Sequence, residues 1–234
     1  MNLITIIVPC YNEERTLSKI LDKIIQQKKI KKQIILVDDF SSDNSIKVAK
    51  NYLKYLDKFI KHKTNQGKGA CIKSAQKFVK GEVVIIQDAD LEYNPNDYNK
   101  LISPIINKKS RVVYGSRVLG KKKKKLKKTF NSPYVRIFGN YILTQISNFI
   151  NNQHLTDAHT CYKVFSGVVF KKLKLLENDF AFCPEVTSLI SKQKIKILEV
   201  PIDYKGRSII EGKKIKFLDA LRALYVLVKT NLRG

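Results

Sequence analysis

The stretch VVIIQDADLEY (Val83–Tyr93) runs four apolar β-formers straight into Asp88 and Asp90, with Glu92 two places further on. Residues two apart on an extended chain point the same way, so three carboxylates share one side of a segment that has just left an apolar run. Like charges so placed repel unless something separates or neutralises them. A solvated turn, a helix cap and a hard divalent cation are three ways to do so. Mg²⁺ or Mn²⁺ takes one or two carboxylates together with substrate phosphate oxygens, which makes Asp88, Asp90 and Glu92 candidate metal ligands.

Other polar clusters follow other apolar runs. CYNEE (Cys10–Glu14) follows LITIIVP, and DDFSSDNS (Asp38–Ser45) follows QIILV, with Asp38 and Asp39 offering acceptors suited to a base or ribose. Asn65-Gln66-Gly67-Lys68-Gly69 places one cation in a glycine-flexible loop opening a helix. It is neither a P-loop, which needs GxxxxGK[ST], nor a dinucleotide fingerprint, because the third glycine is missing. Of the 45 basic residues only seven are Arg. Where Lys is the default cation, an Arg points to a need for a planar, bidentate fork, which draws attention to Arg117, Arg136 and Arg207. Arg117 of GSR and Arg207 of KGR suit phosphate, with Lys163 and the Lys213-Lys214 pair as further cations; the competing reading of each Arg is a loop-bracing ion pair. His62, His154 and His159 show no ligand spacing and read as structural.

The elements that must position these groups alternate. Apolar runs at 3–9, 33–39, 59–63, 83–87 and 111–116 predict strands, the buried ones covered on both faces. Helices are predicted over 13–27, from an Asp43 cap to about 56, over 68–79 and after Pro95. Such alternation argues an open, mainly parallel α/β sheet, and in such sheets functional groups gather beyond the carboxyl ends of the strands. Every cluster named above sits there. Beyond residue 117 the pattern changes: a basic loop at 120–128, amphipathic helices at 133–151 and 184–193, a strand at 197–204 and a terminal helix over 214–232.

A chain of 234 residues carrying +25 suits one domain of substantial size. That charge points to an anionic partner, or to lysine filling every solvated face. Four cysteines without paired or zinc spacing read as reduced thiols of a cytoplasmic protein. The first residues read as a strand with no signal peptide, and no apolar stretch reaches membrane-spanning length.

The motifs VPCYNEE, VDDFSSDNS, NQGKGA, QDADLEYNP, VVYGSR, TDAHTCYKVF, CPEV and VPIDYKGRSIIEGKKI occur in this order. Together they resemble the family 2 glycosyltransferases, in the dolichyl- or polyprenyl-phosphate mannosyl/glucosyltransferase-like branch, from about Ile4 to Asp219. The resemblance implies an α/β GT-A fold over 1–234, with a nucleotide-sugar half at 1–117 and an acceptor half at 118–234. It implies a nucleotide-diphosphate sugar donor contacted by Pro9, Tyr11, Asn12, Glu13, Asp38, Asp39, Lys68, Asp88 and Ala89. It makes Asp90 the metal-binding aspartate for Mg²⁺ or Mn²⁺ and Asp157 the matching general-base position, with a helix cap or a brace for Arg117 as its alternatives. Arg117, Lys163, Arg207 and Lys213 are the acceptor-phosphate candidates. The expected reaction is inverting transfer of a hexose to a polyprenyl phosphate at an anionic membrane surface on the cytoplasmic side, with Phe138, Tyr141, Ile142 and Phe149 available to the interface. A glycan or other hydroxyl acceptor is the alternative within the class, and a non-catalytic basic membrane- or nucleic-acid-binding protein the alternative outside it; no nucleic-acid-binding signature occurs. The chain departs from the family at Glu92 (often Gln), Cys183 (usually an acid) and Ala220 (often Gly).

Overall fold

The computed structural model describes residues 2–124, 134–207 and 217–233. The first half runs β1 (Leu3–Cys10), α1 (Leu17–Ile25), β2 (Lys31–Asp38), α2 (Ser45–Asn51), β3 (Lys58–Lys61), α3 (Lys68–Gln76), β4 (Val83–Ile86), α4 (Tyr98–Ile106) and β5 (Val112–Ser116). It continues through α5 (Arg117–Lys124), α6 (Tyr134–Asn151), β6 (Lys163–Ser166), α7 (Gly167–Lys172), α8 (Phe182–Lys192), β7 (Leu198–Pro201) and α9 (Phe217–Leu232).

The seven strands form one sheet in the order β3-β2-β1-β4-β6-β5-β7. All neighbours are parallel except β6, which runs antiparallel to both β4 and β5. Alternate strand residues feed two cores. Ile6, Val8, Leu36 and Ile85 meet α1 and α4 on one face, while Ile7, Ile35, Val37 and Ile86 meet α3 and α8 on the other. Burial on both faces is why these strands read as unbroken apolar runs; each fully buried Ile, Leu or Val contributes about 1.5–3 kcal/mol.

Four expectations change. The strand β6 is absent from the sequence reading, because its first residue is a lysine. The basic loop predicted over 120–128 is helical as far as Lys124, with 125–128 outside the described residues. Ser116 Oγ accepts from Leu119 N (3.1 Å) and caps this helix, and lysine is a good helix former. The helix predicted from 13 starts at Leu17, because Glu13 closes a turn in which its carbonyl accepts from Thr16 and Leu17. The short helix α7 was also not predicted; the other elements fall within a few residues of their predicted bounds, and β1, β2 and β4 deliver their polar ends to one edge of the sheet.

Candidate active site

Beyond β4 the DAD segment lies among charges of both signs. Arg207, brought in after β7, spreads its guanidinium over three carboxylates. Its Nη1 donates to Glu13 Oε2 at 3.0 Å and its Nη2 to Asp90 Oδ2 at 2.8 Å, while Nε stands 3.8 Å from Glu92 Oε1. The backbone N–H of Arg207 also donates to Glu92 Oε1 at 2.6 Å, and Tyr204 donates its hydroxyl to Glu92 Oε2 at 2.8 Å. Asp88 is held by Lys68 of the NQGKG loop. Residues from the ends of β1 and β4 and from the segment after β7 thus converge on the Arg207 guanidinium.

That convergence has an electrostatic signature. Burial, then the neighbouring Asp88 and Glu92 carboxylates, push the Asp90 carboxyl up to about 7, against the pull of Arg207. Arg207 is pushed higher in turn by Asp90 and Glu13, against the cost of its own burial. Four carboxylates, Glu13, Asp88, Asp90 and Glu92, thus face two cations, Arg207 and Lys68, and hard carboxylate oxygens are the donor type that Mg²⁺ or Mn²⁺ takes. Arg207 is the cation that these carboxylates hold in this structure.

The residues predicted to contact the donor are ordered largely by side-chain bonds to backbone. Pro9 pairs with Val37 in the sheet. Asn12 adopts φ 51°, and its side chain accepts from Ser42 N at 2.8 Å. Glu13 N donates to Ser45 Oγ at 2.8 Å. Asp38 accepts from Ser41 N at 3.1 Å, and Asp39 accepts from Gly67 N at 2.7 Å. Tyr11 is half-buried and Ala89 buried beside this edge. Asp43 does serve the helix that follows it, accepting from Ser45 N at 2.9 Å, although the capping position is Asn44. Gly67 has φ +97°, and a Cβ there would meet Asn178 O at 2.5 Å. The loop therefore needs glycine to lie against the 177–179 backbone.

The other predicted residues divide. Asp157 is fully buried and clamps Arg117 through two 2.7 Å bonds, to Nε and Nη2. Arg117, and then its hydrogen bonds, outweigh burial and hold the Asp157 carboxyl below its usual range. Glu199 fixes this loop by accepting from Thr156 N and Asp157 N. The Arg117 guanidinium lies 5.1 Å over the Tyr204 ring, which joins the Arg117 and Arg207 pairs through one side chain. Lys163 is placed elsewhere: fully buried, it donates to Ala158 O at 2.8 Å and sits 3.7 Å over the Tyr114 ring. Lys213 lies outside the described residues, and Arg136 falls where side chains are not described. Tyr204 and Glu199 were missed. Tyr204 was legible only as a member of VPIDYKGR.

Residues 5–174 match the model of glycosyl transferase family 2. The chain belongs to glycosyl transferase family 2. Its relatives include a UDP-N-acetylglucosamine–dolichyl-phosphate N-acetylglucosaminyltransferase of Methanococcus voltae, 31% identical over 234 residues, covering 91% of this chain and 90% of that one. A dolichyl-phosphate beta-glucosyltransferase of Trichomonas vaginalis is 28% identical, covering 97% and 72%. In three dimensions the chain resembles glucosyl-3-phosphoglycerate synthase of Mycobacterium tuberculosis, solved with Mn²⁺, UDP and phosphoglyceric acid. The TM-score is 0.69 at 12% identity, covering 100% of this chain and 80% of that one. The fold is GT-A and the protein is a glycosyltransferase, as the eight ordered motifs implied.

Proposed function

We propose that this glycosyltransferase moves a hexose from a nucleotide-diphosphate sugar to a polyprenyl phosphate. The observation that carries the reading is the state of Asp157. A hydroxyl acceptor needs its proton removed by a positioned base, and a carboxylate held below its usual range by a bidentate arginine is a poor one. A lipid monophosphate, with a second pKa near ~6 by analogy with phosphoserine, is already an oxyanion at neutral pH. It needs cations to hold it. Asp157 in this reading positions Arg117, and Arg117 and Arg207 meet the acceptor phosphate. The relatives named for dolichyl-phosphate transfer support the same acceptor.

The donor edge takes the nucleotide through Pro9, Tyr11, Asn12, Glu13, Asp38 and Asp39. Lys68 and the carboxylates of Asp88, Asp90 and Glu92 surround its diphosphate. A divalent ion held by Asp90 with Asp88 and Glu92 supplies charge stabilisation as negative charge gathers on the departing diphosphate. The protein's own part is geometric. The loop held by Gly67 aims Lys68 at the DAD segment, and Tyr204 and the Arg207 backbone fix Glu92.

No helix among the described residues is long and apolar enough to cross a membrane, so access to a lipid substrate falls to the surface. The outer stripe of α6 exposes Phe138, Tyr141, Ile142 and Phe149, and α9, packed beside it, exposes Leu221, Tyr225, Val228 and Leu232. Helical spacing puts each set on one face. Two exposed apolar stripes on a chain of +25 suit the interface of an anionic bilayer.

The test is transfer of radiolabel from UDP- and GDP-sugars to a polyprenyl phosphate, read after organic extraction. Label in the organic phase that depends on Mn²⁺ or Mg²⁺ is expected. Label confined to an aqueous glycan product would assign a hydroxyl acceptor instead.

A further inference from the structure

We propose that His62 is a positioning residue for nucleotide recognition: it fixes the Asp39 carboxylate so that its remaining acceptor capacity meets an N–H of the nucleobase. The inference rests on the reading of Asp39 as a nucleotide contact. His62 follows β3, and its ring bridges two other elements. Nδ1 lies 2.7 Å from Asp39 Oδ1 at the end of β2, and Nε2 lies 2.9 Å from Ser74 Oγ on α3. Both partners in the first contact are buried, with side-chain exposures of 6% and 4%.

The hydrogen-bond inventory sets the roles. A carboxylate only accepts, so Nδ1 carries the proton, and in the neutral ring Ser74 donates its hydroxyl to Nε2. Asp39 Oδ1 also takes Gln66 N at 3.0 Å, while Oδ2 takes, among the described residues, only Gly67 N at 2.7 Å. Each carboxylate oxygen has two acceptor sites. Oδ1 is therefore filled and Oδ2 keeps one. Beside it, Asp38 Oδ1 is buried with no hydrogen-bond partner among the described residues. Buried acceptors at a ligand edge call for donors, because an unmade hydrogen bond there is costly. The imide N–H of uracil or the N1–H of guanine supplies one, and ribose hydroxyls supply the other.

A bound metal is the competing use of this cluster, since donor atoms of Asp39, His62 and Cys71 lie within 4.8 Å of one another. Both ring nitrogens are already committed. Burial and the Asp39 carboxylate push the Cys71 thiol upward, away from the thiolate a metal requires. A hydrogen-bonded relay fits better.

The test compares His62→Ala, His62→Asn and His62→Gln in the whole chain, by calorimetric titration with UDP and GDP in the presence of Mn²⁺, donor KM, kcat and thermal midpoint. The Asn amide replaces Nδ1, whereas the Gln amide reaches only toward Ser74. One charge-assisted hydrogen bond predicts about tenfold weaker nucleotide binding and a matching rise in KM for Ala and Gln. Asn stays near wild type, and kcat changes little in all three. Wild-type affinity in the Ala variant overturns the proposal, as does equal weakening of all three in step with lost thermal stability. Stoichiometric metal in the purified protein that vanishes on His62 substitution also overturns it. If the Ala variant does not fold, Asn against Gln carries the test, and equal affinities overturn it. A wild-type protein that binds neither UDP nor GDP is a different failure, of the donor reading itself.

Discussion

Replacing Arg207 with Ala is expected to tighten divalent-metal binding while it destabilises the ion-free protein. The wild-type guanidinium stands within 3.0 Å of Glu13 and 2.8 Å of Asp90, with Glu92 at 3.8 Å. A divalent ion entering among these acids must compete with it. Breaking a fully buried pair costs ~3–5 kcal/mol. The Arg207 side chain is 21% exposed, so solvent screening reduces this to about 2 kcal/mol. For a chain of this size that is a fall of ~4–8 °C in the thermal midpoint in EDTA. The carboxylates left facing one another regain that energy from a cation, which corresponds to roughly 30-fold tighter Mn²⁺ binding at 1.4 kcal/mol per decade. Mn²⁺ titration followed by electron paramagnetic resonance reads the affinity directly, with Arg207→Lys expected between the two. Excess Mn²⁺ should restore most of the lost midpoint. An Ala variant that binds Mn²⁺ no better than wild type would refute the reasoning, because Arg207 and the metal would then not share a site.

Metal affinity should also climb as pH rises from 6 to 8. Asp90, raised to about 7, must lose its proton to ligate. The linked sign for stability is the reverse: a raised folded-state pKa makes the Asp90 contribution in EDTA fall as pH rises from about 4 toward 7. Comparing wild-type and Asp90→Asn melts across that window isolates it. Asp157→Asn should lower transfer to polyprenyl phosphate by less than the ~10²–10⁴ typical of a lost general base, measured in single-turnover assays; a loss beyond 10³ with Arg117 still in place returns Asp157 to the base role. Phe40 holds φ 66° at 55% exposure. Left-handed backbone costs a residue with a Cβ about 1–2 kcal/mol, so Phe40→Gly should raise the thermal midpoint by a few degrees, and a fall would mean its side chain packs more than its exposure shows. Phe138→Asp with Phe149→Asp should reduce sedimentation with anionic vesicles and leave nucleotide binding unchanged.

The buried strands were legible because parallel strands covered on both faces need apolar residues at every position, and LITIIVP and VVII supply them. The polar clusters were legible because loops beyond strand ends are where a sheet of this kind has room for ligands. Lys163 misled on both counts. Its cation suggested phosphate, yet the Ala158 carbonyl and the Tyr114 ring satisfy it inside the sheet, and that burial also hid β6. Arg207 was marked as a phosphate fork, but nothing in the order of residues says that the segment after β7 returns to the end of β1. The Glu13–Arg207 contact spans 194 positions, a closure only the folded sheet order creates. His62 carries no spacing signal because its partners, Asp39 and Ser74, come from different elements.

The central claim is that the carboxylates at the end of β4 hold a divalent ion against a nucleotide diphosphate. Anomalous diffraction at the manganese edge, from crystals grown with Mn²⁺ and UDP or GDP, measures this most directly. A manganese peak bonded to Asp90 and to diphosphate oxygens is expected, with the Arg207 guanidinium withdrawn from Asp90. Nucleotide bound without manganese, and Asp90 still paired to Arg207, would contradict it.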